Sequence, residues 1–304
     1  WGPQDDDLSL AAIRRAIDLG VNWIDTAAIY GLGHSEDVVG RALRALPAAA
    51  RPLIFTKCGL EWDAADPMRP AERVFTPHTV RHGIEDSLRR LGLETVGLFQ
   101  IHWPDEQDNP VEEAWAEMVK LRDEGKARAI GVSNFGPDLL DRCEAVGHVD
   151  SLQPPFSAID RRTAAELLPW ARAHDTGVLC YSPMGSGILT DTFTAGRVAA
   201  MAEDDWRRRP PMFNEPQLSR NLSLRDALRP IAARHGATVA AVAVAWVTRW
   251  PGVSGAIVGA RSPEQVDGWI GGASLELTDE DIEEISGAVQ ATGAGEGPAD
   301  PRRV

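Results

Sequence analysis

The feature that most limits what this chain can fold into is its alternation of short apolar runs with amphipathic stretches of helical period. Seven runs read as strands: Val21–Ala27, Leu53–Gly59, Val96–Trp103, Ala129–Phe135, Asp150–Phe156, Val178–Met184 and Ser254–Ala260. Most are nearly continuous rather than alternating, the pattern of parallel strands covered on both faces. Strand followed by helix, repeated from end to end, predicts a single α/β domain. The 304 residues suit either two domains or one large α/β barrel. The chain opens on a helix with no strand before it. A closed eight-stranded barrel needs one more strand upstream of Trp1, whereas an open doubly wound sheet does not.

The helical stretches are Leu8–Leu19 behind an acidic Asp5-Asp6-Asp7 start, Ser35–Leu46, a helix opened by Thr76-Pro77, Val111–Glu124, Pro137–Val146, Thr163–His174, Leu224–Arg234, Thr238–Arg249 and Asp279–Ala288. Thr76 suits an N-cap and Pro77 the first helical position. Residues 189–221 are long and polar and are expected to form a mobile loop, since excursions of this length usually serve as lids or binding loops. The Gly/Ala/Pro-rich residues 291–304 are expected to be a flexible tail.

Composition narrows the partners. A net charge of −14 opposes nucleic acid and anionic membrane over most of the surface. No run of about 18 apolar residues is present, so no membrane span is expected. Cys58, Cys143 and Cys180 are odd in number and far apart, which suits a reducing, cytoplasmic location. Oligomeric state is open.

Chemistry-bearing residues follow the strand bodies. Asp25, Lys57 and His102 lie near the carboxyl ends of the first, second and third runs; in a parallel barrel all three face one mouth. Lysine occurs only at Lys57, Lys120 and Lys126, so a lysine among apolar neighbours is conspicuous. A buried lysine requires a carboxylate, and Asp25 is the obvious one. Tyr30 follows five residues after Asp25 and is one of only two tyrosines. A phenol titrates near 10; an adjacent Lys57 ammonium is expected to lower that value, with Asp25 holding the ammonium charged. His102 is expected to orient a substrate oxygen. Together the four read as a general acid for a developing alkoxide.

In their contexts, Trp-Ile-Asp25-Thr-Ala-Ala-Ile-Tyr30-Gly, Phe-Thr-Lys57-Cys-Gly and Gln-Ile-His102-Trp-Pro-Asp, these residues resemble the aldo-keto reductase superfamily. The likeness runs from Trp1 to about Ile285. It implies a (β/α)8 TIM barrel that binds NADPH/NADP+ without a Rossmann fold, and a first barrel strand upstream of Trp1. It also implies that Asp25, Tyr30, Lys57 and His102 form a catalytic tetrad reducing aldehyde or ketone carbonyls of small molecules.

The resemblance carries cofactor positions as well. Ser133, Asn134 and Gln153 match residues that bind the nicotinamide carboxamide, and Tyr181 the aromatic that stacks on its ring. Ser182, Pro183, Met184, Gly185 and Gly187 look like the pyrophosphate-side loop, where small residues let backbone amides approach phosphate. Gly259, Arg261, Ser262 and Gln265 look like the adenosine segment, with Arg261 able to fork onto a 2′-phosphate. Family members commonly place Glu and Asn shortly after that Gln; here Gly268 and Trp269 stand there.

Other motifs fail. Gly31-Leu-Gly33 and Gly185-Ser-Gly187 lack the third glycine of a dinucleotide fingerprint. His78 and His82 lack a third ligand, so no metal is expected. No nucleophile elbow appears. Two alternatives to carbonyl reduction stay open: a sugar or alcohol dehydrogenase running in reverse, and an NADPH-holding redox sensor resembling potassium-channel β subunits.

Overall fold

The computed structural model describes residues 4–303 apart from 64, 67, 68, 106 and 204. These residues form two compact units, one of Asp6–Pro154 with His174–Gly177, the other of Pro155–Ala173 with the chain from Val178 onward and the N-terminal residues up to Asp5.

The first unit holds α1 (Asp6–Asp18), β1 (Trp23–Asp25), α2 (His34–Arg44), β2 (Leu53–Cys58), a small antiparallel hairpin of β3 (Leu60–Glu61) and β4 (Glu72–Arg73), α3 (Pro77–Leu91), β5 (Val96–Ile101), α4 (Val111–Asp123), β6 (Ala127–Ser133), α5 (Pro137–Glu144) and β7 (Ser151–Gln153). The parallel order is β1-β2-β5-β6-β7. Register places Asp25 beside Phe55, Lys57 beside Gln100, Gln100 beside Gly131 and Ser133 beside Gln153. The apolar runs become strands because both faces are covered: Ile54, Leu98, Phe99, Ile130 and Val132 are all buried. Each such side chain contributes roughly 1.5–3 kcal/mol. Gly131 has a separate reason, since a Cβ there would lie 2.4 Å from the Ser151 carbonyl oxygen.

Local signals set the helix starts. Thr76 caps α3 in a reciprocal capping box with Thr79, and Pro77 is its first residue, as the sequence predicts. Helix α2 starts differently. Its N-cap is Gly33 in the left-handed region, with no side-chain cap, while the Ser35 hydroxyl turns to Thr26 at 2.8 Å. The β3–β4 hairpin was not expected, because each arm has only two residues.

The second unit holds α6 (Thr163–Ala173), β8 (Gly177–Tyr181), α7 (Ala195–Ala199), α8 (Gln217–Ala227), α9 (Arg229–Arg234), α10 (Val239–Thr248), β9 (Val253–Ile257), α11 (Pro263–Trp269) and α12 (Asp279–Thr292). Strands β8 and β9 pair in parallel, with Tyr181 opposite Ile257. Residues Val239–Val247 of α10 are all buried. Phe156, Trp246 and Trp250 form one aromatic cluster against it, with centroids 5.2–5.6 Å apart. No single helix among the described residues is long and apolar enough to cross a membrane.

Two expectations are corrected here. Residues 189–221 are not a structureless loop: they contain α7, two 3₁₀ turns and the start of α8. Phe193 and Phe213 are buried with ring centroids 6.1 Å apart, and Asn221 donates to the Met212 carbonyl at 3.0 Å. Apolar anchors spaced through a polar stretch tie it to the core. The single helix expected at Leu224–Arg234 is divided: α8 ends at Ala227, and α9 starts at Arg229 with Pro230 in its first turn.

Residues 291–303 are also no loose tail, and residue 304 lies outside the described residues. Helix α12 continues to Thr292, and Ala294 and Pro301 are buried. Arg161, 3% exposed, donates to the carbonyls of Ala158, Ala294 and Gly297, while its own backbone N–H bonds Glu296. Burial brings the Arg161 guanidinium down to about 10, with the Asp160 charge opposing the shift.

Candidate active site

At the end of β2, Lys57 is 1% exposed and donates to Asp25 Oδ1 at 2.5 Å and to the Thr26 carbonyl at 2.8 Å. Strand β1 ends at Asp25, and its next residues stay in register, with Thr26 N–H on the Phe55 carbonyl and Ala28 N–H on that of Lys57. The pairing read from the sequence is therefore present, and the register of two parallel strands delivers it.

Tyr30 lies in the turn after β1, with the Lys57 Nζ 5.4 Å from its ring centroid. Its ring meets His102 edge-on at 5.6 Å. The expected direction of the phenol's shift is reversed. Although the residue stays 41% exposed, lost solvation raises the Tyr30 pKa. The Lys57 ammonium pulls it down, and Asp25 pushes it up again. The carboxylate that holds the ammonium thus cancels part of its field.

His102 follows β5 and is 9% exposed. Burial, then the Lys57 and Arg73 charges, push its imidazole down to about 3, so it is neutral at physiological pH. Arg73, on the β4 arm of the hairpin, sits 4.5 Å over the Trp103 ring. Sequence reasoning missed Arg73, since nothing in a two-residue strand signals it.

On the adjoining strand ends, Ser133 donates to the Gln153 carbonyl at 2.8 Å. Asn134 donates to the His102 carbonyl at 2.9 Å and to Ser133 Oγ at 3.0 Å. Asn134 takes φ 64°, a left-handed conformation that asparagine tolerates better than most residues. Gln153, 3% exposed, gives its amide nitrogen to Asp25 Oδ2 at 3.0 Å and to Gln100 Oε1 at 2.8 Å. Its Oε1 has no hydrogen-bond donor among the described residues. Gln100 was not singled out from the sequence, although it is the one polar residue inside the apolar run Val96–Ile101.

The remaining predicted residues belong to the second unit. Tyr181 ends β8, and Ser182, Gly185, Ser186 and Gly187 after it have φ of 57°, 56°, 54° and 105°. These left-handed residues close a tight turn in which Gly185 N–H bonds the Ser182 carbonyl at 2.9 Å and Gly187 N–H that of Met184 at 3.1 Å. Gly185 is required there twice over, since a Cβ would also fall 2.4 Å from Ile159 Cδ1. Pro183 and Met184 complete this turn. After β9 and Gly259, Arg261 gives its backbone N–H to Gln265 Oε1 at 2.8 Å and its Nε to Gln4 Oε1 at 2.6 Å. Ser262 is the N-cap residue of α11, without a side-chain cap bond. The Gly268 carbonyl accepts from Thr238 Oγ1 at 2.5 Å, and the Trp269 indole N–H is buried without a partner.

The sequence profile of the Aldo/keto reductase family matches residues 1–290. The chain belongs to the aldo/keto reductase family. Its fold is the α/β (β/α)8 barrel of that family, as expected. It is 34% identical over 293 residues to the aldo-keto reductase YhdN of Bacillus subtilis, covering 96% of this chain and 86% of that protein. It is 31% identical over 290 residues to the NADH-specific methylglyoxal reductase of Escherichia coli, covering 92% and 87%. The structure of the glycerol dehydrogenase AKR11B4 from Gluconobacter oxydans superposes with a TM-score of 0.89 at 38% identity, covering 98% of this chain and 89% of that one. This aldo/keto reductase is thus an oxidoreductase that uses a nicotinamide cofactor on small carbonyl compounds.

Proposed function

We propose that the chain is an NADPH-dependent reductase of small aldehydes or ketones in which Tyr30 is the general acid. The observation that carries this reading is the buried Lys57–Asp25 pair beside Tyr30 and a neutral His102. A phenol whose pKa is raised stays protonated at neutral pH and so holds the proton until an alkoxide develops against it. Lys57 then stabilises the phenolate left behind, and Asp25 keeps Lys57 in place. His102, uncharged, donates one hydrogen bond that orients the carbonyl oxygen.

The residues present fit a nicotinamide dinucleotide. Buried Gln153 offers an unused carbonyl oxygen to a carboxamide, with Ser133 and Asn134 beside it. The turn Ser182–Gly187, with two glycines that let a ligand approach the backbone, is the place for a pyrophosphate. Tyr181 offers an aromatic face, and Arg261 with Ser262 and Gln265 a guanidinium and hydroxyl for a 2′-phosphate. When bound, the cofactor supplies the hydride. The three buried cysteines suit a cytoplasmic setting.

The names of the relatives, one a methylglyoxal reductase and one a glycerol dehydrogenase, support short polar substrates and a reversible reaction. The test is NADPH and NADH oxidation across short aldehydes, ketones and dicarbonyls, with Tyr30→Phe in parallel. Loss of the general acid is expected to lower kcat by about 10²–10⁴-fold, with NADPH binding retained. Turnover unchanged in Tyr30→Phe refutes the mechanism. Tight NADPH binding with no turnover on any carbonyl favours the sensor reading instead.

A further inference from the structure

Gln100 has no part in the reading above, yet it is 0% exposed and lies two residues before His102. Its Oε1 accepts from Gln153, and its own Nε2 is buried with no hydrogen-bond partner. An unpaired buried amide is destabilising, and an apolar residue at this position would avoid the penalty.

The polarity of the two amides follows from Asp25. A carboxylate paired with Lys57 can only accept, so Gln153 must turn its NH₂ toward Asp25 Oδ2. The second hydrogen of that NH₂ then faces Gln100, which must answer with its oxygen. Both hydrogens of Gln153 are thereby taken and its Oε1 is left over. We propose that Gln100 is a positioning residue: with Asp25 it locks the Gln153 side chain so that Oε1 is held as the acceptor for the cofactor's carboxamide NH₂. This rests on the reading that Gln153 faces the carboxamide. Without Gln100, one N–H of Gln153 is unsatisfied and its side chain is free to swing about the remaining bond to Asp25.

The experiment measures dissociation constants, by calorimetry on the protein without substrate, for three nucleotides. They are NADP⁺, its 3-acetylpyridine analogue (in which a methyl replaces the carboxamide NH₂) and 2′-phospho-ADP-ribose, which lacks the nicotinamide. Wild type is compared with Gln100→Leu and, as a second apolar variant of similar length, Gln100→Met. Wild type is expected to prefer NADP⁺ over the analogue by about five- to tenfold, the worth of one hydrogen bond. In both variants this preference is expected to fall to near unity, while 2′-phospho-ADP-ribose binds as in wild type. A variant that is merely loosened weakens all three ligands together and keeps the preference, which overturns the proposal. Absence of any preference in wild type overturns it equally. If wild type binds 2′-phospho-ADP-ribose but neither pyridine nucleotide, the assignment of Gln153 to the carboxamide falls, and this proposal with it.

Discussion

Replacing Lys57 by Met removes the ammonium from a pair whose side chains are 0% and 5% exposed. Asp25 is left as a buried anion with one donor, Gln153, at 3.0 Å. Breaking a buried ion pair from one side costs about 3–5 kcal/mol. The Thr26 carbonyl also loses its Lys57 donor, which adds about 1–3 kcal/mol. Asp25→Leu strands the ammonium instead, at a similar cost, and deprives Gln153 of an acceptor. The double variant leaves no unpaired charge. It retains only the two unsatisfied neutral groups, together about 2–4 kcal/mol after partial relaxation. The single costs therefore add to about 8 kcal/mol or more while the double falls well short, a coupling of at least about 3 kcal/mol. Urea unfolding of the four proteins, with the slopes compared to verify a common transition, measures it. If the double variant equals the sum of the singles within about 0.5 kcal/mol, the pair is not coupled as the geometry requires, and the reasoning fails.

Two further outcomes follow from the charge environment. The His102 imidazole, held down to about 3, is expected to show no titration between pH 5 and 8 in its NMR resonances. Arg73→Ala raises its midpoint, because removing a cation favours the protonated ring. For Asp281, burial opposes ionisation, but hydrogen bonds from Thr278, His235 and Arg234 outweigh it and lower the carboxyl below its usual value. A lowered folded-state value adds stability above the unfolded pKa of about 3.9, and that stability is lost as pH falls through the folded value. Asp281→Asn is therefore expected to be less stable at pH 7 by about 1.5–3 kcal/mol, since the carboxylate that accepts from His235 and Arg234 becomes a neutral amide. The difference narrows at pH 3.

The strands and the Asp25–Lys57 pair were legible because each is a local signal with one physical reading. Seven apolar runs gave seven strands, and a lysine inside one of them had one carboxylate to meet. The direction of the Tyr30 shift was not legible, since it depends on solvation lost in three dimensions and on Asp25 opposing Lys57. Residues 189–221 misled because anchors such as Phe193 and Phe213 are diluted by polar neighbours. The tail misled because its Gly and Pro content describes the unfolded chain, whereas what holds it lies at Arg161. Gln100 was visible as a lone polar residue in a strand, but only contact with Gln153 gives it meaning.

Arg161 and its carbonyl partner at Ala294 are 133 residues apart in the chain. During synthesis the guanidinium leaves the ribosome long before residues 294–297 exist, and until they arrive the second unit must either keep that cation in water or bury it with the Ala158 carbonyl and without those of Ala294 and Gly297. A stop codon a few positions before 294 removes no residue proposed to touch cofactor or substrate. It nevertheless leaves a charge that the finished core cannot accommodate, so such a truncated product is expected to be found with chaperones or in inclusion bodies rather than as a weakened enzyme.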